Sequence, residues 1–519
     1  MNFSEAETKP QVAASFVNHY WEPDWECAPL PELVARLEAR LAETDIFVRA
    51  ARSPLYRQRW QEAGIDPAAI RSYRDLQRVP YTDAADLRLA QERHHPDEFV
   101  CSDQSPRFWV STSGSTGVPK WVPIGGADLE LARRIGHRLA YFGEKPARPD
   151  DMALAIAAPA PFISDTSTWP GLVNELRGDG PQDIRQGEAV ICSFEDVAEG
   201  ALMAFKRQVT VLIAFPSLIM RLAEGLTENA PLLAAQQLKQ KFTLANLLAY
   251  LVTRLRQIRP RDVVKVHTGI FAGEPLDPYR RALYDAWGLK LSYNFYTFSE
   301  YQIGFCECRA QDGLHVWMDV SLPEIILQAD LEREREEEGY VPPARPLWEA
   351  SAGDEGELVL THFGDTFPLV RWRTSDLIRV ISTERCLCGR THPRVNFLQR
   401  SDDLVNLGVI RFSTFTLQGK LEAITQPAKV ARWQLRVSRR GYKPLLTVLV
   451  RPASGVDEAE MVAAVKTALA QVEVLRGGWE SGLVCVPEVR IVPDLGDRLP
   501  TSGKFRPLVY ETEGEEARP

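Results

Sequence analysis

The run Ser111-Thr-Ser-Gly-Ser-Thr-Gly-Val-Pro-Lys120 crowds hydroxyls, two glycines and a lysine into ten residues. Gly114 and Gly117 admit positive φ and close backbone approach, so successive N–H groups and the hydroxyls of Thr112, Ser113, Ser115 and Thr116 can converge on phosphate oxygens. Ser111 opens the turn and Lys120 closes it with a point charge. Neither glycine stands at the Walker distance from a Gly-Lys pair, which excludes the common phosphate loop. The segment points to nucleotide chemistry on a scaffold of another kind.

With 519 residues the chain exceeds what one core organises, so two or more domains are expected. Its 45% apolar and 25% charged content match an ordinary globular protein, and the net charge of -9 gives no basic footprint for nucleic acid. No segment reaches the roughly 18 uncharged apolar residues of a membrane span, and the acidic start is unlike a signal peptide. The expected location is the cytoplasm, with no nucleic-acid and no membrane partner. Eight cysteines are too sparse for a disulfide scaffold, and four of them fall in two Cys-x-Cys pairs.

Leu33, Leu37, Leu41, Ile46 and Val48 are spaced as one face of an amphipathic helical region, with a break at Pro54. From about residue 150, short apolar runs at 152–157, 209–215 and 358–361 alternate with helical stretches, which argues for α/β layers. A helix is expected over 234–257 and a strand over 263–269. The charge block 330–339 reads as a solvated helix. After Arg400 the pattern becomes strand, strand, helix, strand. The fold class is therefore α/β: a large multi-layer domain over 1–400 and a small α+β domain over 401–519.

Further motifs follow the loop in a fixed order. Phe271-Ala-Gly-Glu-Pro-Leu276 is a strand end and tight turn, placing Ala272, Gly273, Glu274 and Pro275 where backbone can lie against a planar base. Then come Tyr296-Thr-Phe-Ser-Glu300, Gly353-Asp-Glu-Gly-Glu-Leu, Arg371-Trp-Arg-Thr-Ser-Asp376, Arg400-Ser-Asp402 and Leu499-Pro-Thr-Ser-Gly-Lys504. Together with the loop at 111–120 they resemble the ordered motifs of the adenylate-forming superfamily, which includes acyl- and aryl-CoA synthetases, peptide-synthetase adenylation domains and luciferases. The early Tyr56-Arg-Gln-Arg-Trp, Val79-Pro-Tyr-Thr and a Cys-x-Cys-Gly-Arg before the hinge are similar to its phenylacetate-CoA ligase branch.

The resemblance implies roles. Tyr296 stacks on adenine, with Thr297 standing where the family usually has glycine; Ser299 meets the α-phosphate and Glu300 holds Mg2+. Asp376 grips the ribose hydroxyls, Arg400 belongs to the nucleotide set, Asp402 is the hinge, and Lys504 bridges the carboxylate and the α-phosphate. The implied reaction is ATP-dependent conversion of a small-molecule carboxylic acid to an acyl-adenylate with pyrophosphate release, then thioester formation with CoA. Two alternatives stay open: transfer to an amine, a carrier-protein thiol or a protein residue, and a nucleotide-binding module without turnover. A homodimer is an admissible assembly.

Cys306, Cys308 and His315 on one segment, and Cys386, Cys388 and His392 on another, supply soft ligands at two loops, and a Cys3His set suits four-coordinate zinc. The branch's Glu-Cys, Gly-Leu-His and Cys-x-Cys-Gly pattern selects Cys308, His315, Cys386 and Cys388, for a structural Zn2+. No Gly-x-Ser-x-Gly elbow is present, so a serine hydrolase is unsupported.

Overall fold

The computed structural model describes residues 23–111, 120–140, 152–157, 189–193, 208–273, 276–298, 300–400, 404–407, 410–424, 430–440, 443–452, 455–482, 484–493, 495 and 508–510. The chain divides into two compact units, Met1–Thr374 with Ile378–Phe397, and Ser375–Leu377 with Leu398–Pro519.

The entry region folds as helices Leu30–Glu43, Ile46–Ala50 and Pro54–Glu62, burying Leu33, Leu37, Leu41 and Ile46 as their spacing dictates. Val48 departs from that expectation and is exposed, because Ile46–Ala50 is a separate short helix with its own inward face. Pro54 starts a helix as well as interrupting one: the Ser53 hydroxyl accepts from the Leu55 amide and the proline occupies a position with no amide to satisfy.

Among the described residues, one sheet of twelve strands has the order Ala344–Pro346, Ser321–Leu327, Glu355–His362, Leu369–Ser382, Arg394–Arg400, Leu314–His315, Tyr301–Glu307, Leu291–Phe298, Thr268–Ala272, Val211–Ala214, Ala153–Ala157 and Ala189–Ser193. The last five are parallel. Their runs are short and apolar because such strands are covered on both faces. Antiparallel pairing takes over where Leu291–Phe298 turns back into Tyr301–Glu307. The mixed α/β class is thus as read from the alternation of patterns.

Two local expectations are corrected. The helix foreseen over 234–257 is two helices, Pro216–Gln240 and Leu244–Leu255, because the Thr243 hydroxyl accepts from the Asn246 amide at 3.1 Å and starts a new helix. The strand foreseen from Val263 starts only at Thr268, since the Val263 and Val264 amides are both spent on the Pro260 carbonyl in a tight turn.

The branch-like segments near the N-terminus dock onto the strand Leu369–Ser382. The buried Tyr56 hydroxyl donates to the Pro368 carbonyl at 3.0 Å and accepts from the Val370 amide at 3.1 Å. Thr82 pairs in parallel with Trp372, exchanging backbone bonds with Arg371 and Arg373. Arg371, at φ 45°, donates to the carbonyls of Gln77 and Val79 and to Glu324. That network holds a non-glycine residue in the left-handed region.

The smaller unit has its own apolar core, including Leu435, Val448, Val450, Val465 and Leu469. Its strands Val430–Arg440 and Lys443–Pro452 are antiparallel, flanked in parallel by Leu508–Tyr510 and Glu488–Ile491 respectively.

Candidate functional site

In sheets with parallel strands, ligand sites form beyond the carboxyl ends of those strands. Two of the motifs singled out in the sequence occupy such ends on neighbouring strands. Thr268–Ala272 leads into Gly273, and Leu291–Phe298 leads toward Glu300. Gly273 has φ 79°, and a Cβ there would sit 1.9 Å from Phe215 Cε1. Phe215 is itself fully buried beside Phe271 in the core of the parallel half, so both aromatics are packing residues. Gly273→Ala is expected to cost about 2–4 kcal/mol through left-handed strain and overpacking. Thermal unfolding with and without MgATP will separate that loss from any loss of nucleotide affinity.

The hairpin that follows is shaped by a register shift between Tyr296 and Phe298. Gly304 lies opposite, where a Cβ would meet the Phe295 ring at 2.4 Å and the Tyr296 carbonyl at 2.5 Å. Phe298 pairs with Tyr301, which puts Glu300 at the tip. The buried Thr297 hydroxyl donates to the Tyr301 carbonyl, closing the turn from inside. Thr297 thus has a structural use in the hairpin. The Tyr296 ring lies between Phe305 and Phe397, with centroids 5.6 and 5.5 Å away, inside an aromatic cluster.

Lys120 and Glu300 are brought together from 180 residues apart as an ion pair, their side chains only 13% and 5% exposed. The last residue of the hydroxyl-rich loop and the proposed magnesium carboxylate therefore share one place. A single carboxylate completed by phosphate oxygens suits magnesium, a hard cation. Asp376 is buried in the strand Leu369–Ser382, directly after Ser375 at φ 59°. Ser111 ends a short strand and Ala272 ends another, both buried. Arg400 is the last residue of the strand Arg394–Arg400. Thr112, Ser113, Gly114, Ser115, Thr116, Gly117, Glu274, Pro275, Ser299, Asp402 and Lys504 lie outside the described residues.

The ligand atoms of Cys308, His315, Cys386 and Cys388 all lie within 4.8 Å of one another and are buried. Cys308 Sγ is 3.6 Å from Cys386 Sγ, and His315 Nε2 is 3.5 Å from Cys388 Sγ. A disulfide needs sulfurs about 2.05 Å apart, whereas zinc with Zn–S bonds of about 2.3 Å spaces tetrahedral sulfurs by roughly 3.8 Å. The donor set fits the metal. Cys386 N donates to the Arg390 carbonyl and Gly389 N to the Cys386 carbonyl, with Gly389 at φ 95°, so both thiols of this loop turn the same way. The Ala310 amide donates to Cys308 Sγ at 3.4 Å. Burial depresses the His315 imidazole to about 4, keeping it in the neutral form that binds metal. Sulfur hydrogen bonds from Cys308 and Cys388 pull the Cys386 thiol well below its ordinary range. Cys306 is buried in the core, and His392 accepts from the Met318 amide; neither joins the cluster.

Beside this cluster sits an ionic network that the sequence did not single out. Arg138 makes a two-pronged contact with Asp319 at 2.9 and 2.6 Å and lies 3.3 Å from Glu26. Arg390 donates to Glu26 at 2.7 Å. The guanidiniums of Arg138 and Arg390 lie 5.0 and 4.9 Å from the centroid of the Trp317 ring. All four charged residues are buried. Only their positions gave any signal, Arg390 two residues after Cys388 and Asp319 four after His315, and such spacing does not distinguish buried charges from surface ones.

No family model matches the chain. It is 28% identical over 430 residues to a phenylacetate-coenzyme A ligase of Thermus thermophilus, a match covering 81% of this chain and 82% of the relative. A phenylacetate-coenzyme A ligase of Escherichia coli is 26% identical over 408 residues, covering 76% and 77%. Among solved structures, a 2-hydroxyisobutyryl-CoA ligase in the postadenylation state superposes with a TM-score of 0.70 at 20% identity, covering 99% of this chain and 96% of that one. An acyl acid amido synthetase superposes with a TM-score of 0.63 at 14% identity, covering 88% and 86%.

Proposed function

We propose that this chain, similar over most of its length to phenylacetate-coenzyme A ligases, is an adenylate-forming enzyme of that kind, which activates a carboxylic acid with ATP and passes the acyl group to CoA. The observation that carries this reading is the buried Lys120–Glu300 pair, which unites the end of the hydroxyl-rich loop with the tip of the Tyr296 hairpin. Magnesium, when bound, would offset charge on the phosphate oxygens from the Glu300 carboxylate. The substrate carboxylate attacks the α-phosphate, the bond to pyrophosphate breaks, and an acyl-adenylate forms. Lys120 and the hydroxyls of the 111–120 loop bind and orient the phosphates. Asp376 accepts hydrogen bonds from the ribose hydroxyls. Lys504 holds positive charge on the carboxylate and α-phosphate, and reorientation about Asp402 withdraws it for the thioester step. A structural zinc on Cys308, His315, Cys386 and Cys388 would tie two loops of the larger unit together and take no part in the chemistry.

Mass spectrometry of products after incubation with MgATP and a mixed pool of aryl and aliphatic acids, with and without CoA, tests the reading. A CoA-dependent thioester is the expected outcome. Acyl-AMP alone would move the acceptor to another nucleophile, and absence of both across a broad acid pool would refute catalysis by this route. Lys504→Ala should lower acid-dependent pyrophosphate release about a hundred-fold with the melting temperature unchanged. Undiminished release would remove Lys504 from its assigned role.

A further inference from the structure

The helices Pro216–Gln240 and Leu244–Leu255 join two parallel strands, Val211–Ala214 and Thr268–Ala272, as a hairpin. No residue of the second helix is buried. Leu244, Leu248, Leu251 and Leu255 recur at intervals of four, three and four, which places them on one helical face. That face is turned outward: Leu244 is 71% exposed, Leu255 85%, and Phe242 in the preceding turn 76%. Leu248, Leu251 and Val252 complete the stripe, and Asn246, Leu247, Tyr250 and Thr253 are the less exposed residues on the other side. A surface helix usually turns its apolar stripe toward the core, whereas here four leucines face outward.

Charge is distributed just as unevenly. Between Glu228 and Asp262 the sequence has no Asp or Glu, yet it holds Lys239, Lys241, Arg254, Arg256, Arg259 and Arg261, in a chain whose net charge is -9. Lys239 and Lys241 lie at the turn before the second helix, and Arg254 and Arg256 at its far end; all four are exposed. Arg254 lies over the Tyr250 ring, and Arg256 is 3.7 Å from Asp262 at the surface.

We infer that this hairpin docks on an anionic phospholipid bilayer, laying the leucine stripe and Phe242 into the headgroup boundary while the basic residues at both ends meet lipid phosphates. An apolar face flanked by Lys and Arg is what an interfacial helix requires, and the cationic ends add attraction to anionic lipid. The charge argues against a second copy of the chain as the occupant. Pairing two such faces would set the lysines and arginines of both copies against one another, with Asp262 beside Arg256 the nearest carboxylate after Glu228 in the chain. No described helix is long and apolar enough to cross a membrane, so the contact is with its surface. The inference rests on this hairpin alone and is independent of the proposed reaction.

Flotation of the full chain with vesicles of phosphatidylcholine mixed with phosphatidylglycerol, alongside pure phosphatidylcholine vesicles, tests it. The wild-type chain is expected to float with the mixed vesicles at low salt and to bind pure phosphatidylcholine at least about ten-fold more weakly. Leu248→Glu with Leu251→Glu should abolish flotation, and Arg254→Glu with Arg256→Glu should remove the preference for anionic lipid. Both variants should keep wild-type melting temperature and pyrophosphate release in solution, since the altered side chains are exposed and remote in sequence from the nucleotide motifs. Wild-type chain that stays unbound, or leucine variants that float like wild type, would overturn the inference. So would a concentration-dependent dimer, seen by sedimentation without vesicle binding and dissolved by the leucine substitutions; that result would assign the face to a second copy.

Discussion

Asp319→Ala is expected to cost about 3–5 kcal/mol of folding free energy, because it leaves the Arg138 guanidinium buried without its two-pronged partner. In the native network the carboxylates of Glu26 and Asp319 face the buried guanidiniums of Arg138 and Arg390, with the part-exposed Arg134 3.6 Å from Asp319, so removing Asp319 leaves an excess of positive charge away from water. Glu26 is 3.3 Å from Arg138 and is already bonded to Arg390. Asp319→Asn keeps the shape and loses the charge, so its cost measures the ionic part. Burial by itself would raise the Asp319 carboxyl; the Arg138 guanidinium outweighs burial and holds it well below the usual carboxylate range. A depressed folded value means that the stabilisation is complete above the unfolded value of about 3.9 and is lost as pH falls below it toward the folded value. The difference between wild type and Asp319→Ala, read by urea denaturation, should therefore be largest above about pH 5 and shrink in acid. A difference below 1 kcal/mol at neutral pH would show that the network is not held as described.

The second large effect concerns the cysteine cluster. Purified protein should contain one zinc per chain, and Cys386→Ser with Cys388→Ser should lose the metal and lower the melting temperature together. The free energy of binding a structural zinc is folding free energy when the unfolded chain has no preformed site, and in small zinc peptides it is about 10 kcal/mol or more. In this larger unit part of that is replaced by the surrounding core, so we expect a loss of several kcal/mol, on the order of a broken buried ion pair or above. Chelation of the wild-type chain should reproduce the shift and added zinc should reverse it. Chelation should also leave the acid specificity unaltered, since four protein ligands leave no open position. Wild-type protein without zinc and with a melting temperature insensitive to chelator would refute the metal.

The two effects meet in one place. Arg390 follows the Cys386–Cys388 loop and carries its charge to Glu26, while His315 stacks at 6.0 Å on the Trp317 ring that Arg138 and Arg390 flank. A double variant combining Asp319→Ala with the cysteine substitutions should fall short of the sum of the single losses, as expected for neighbours sharing a structure.

Much of the candidate site was legible from residue order. The hydroxyls and glycines before Lys120, the Gly273 turn and the Tyr296 to Glu300 run stood out through the order in which they resemble the superfamily's motifs, and the same resemblance selected Cys308, His315, Cys386 and Cys388, whose ligand atoms the fold brings within 4.8 Å of one another. The parallel strands were legible for a different reason: burial on both faces enforces unbroken apolar runs such as those at 153–157 and 211–214. The helix break at Lys241 to Thr243 was missed because helical periodicity continues on both sides of it, and a single side-chain cap decided the matter. Thr297 looked like a departure from a glycine position, and its hydroxyl bond to the Tyr301 carbonyl became visible only in the folded hairpin.

Taken alone, the sequence determined which groups this protein can bring to a reaction, because residue type fixes hydrogen-bonding and ligand capacity and the order of motifs fixes which strands present them. Tertiary structure alone decided which charges are out of water. Arg138 and Asp319 are 181 residues apart and read as ordinary surface residues in the chain; Lys120 and Glu300 are 180 apart and meet at one site. Proximity and burial across such separations depend on strand order and packing, and the strength of an ionic contact depends on its desolvation, which no local pattern encodes.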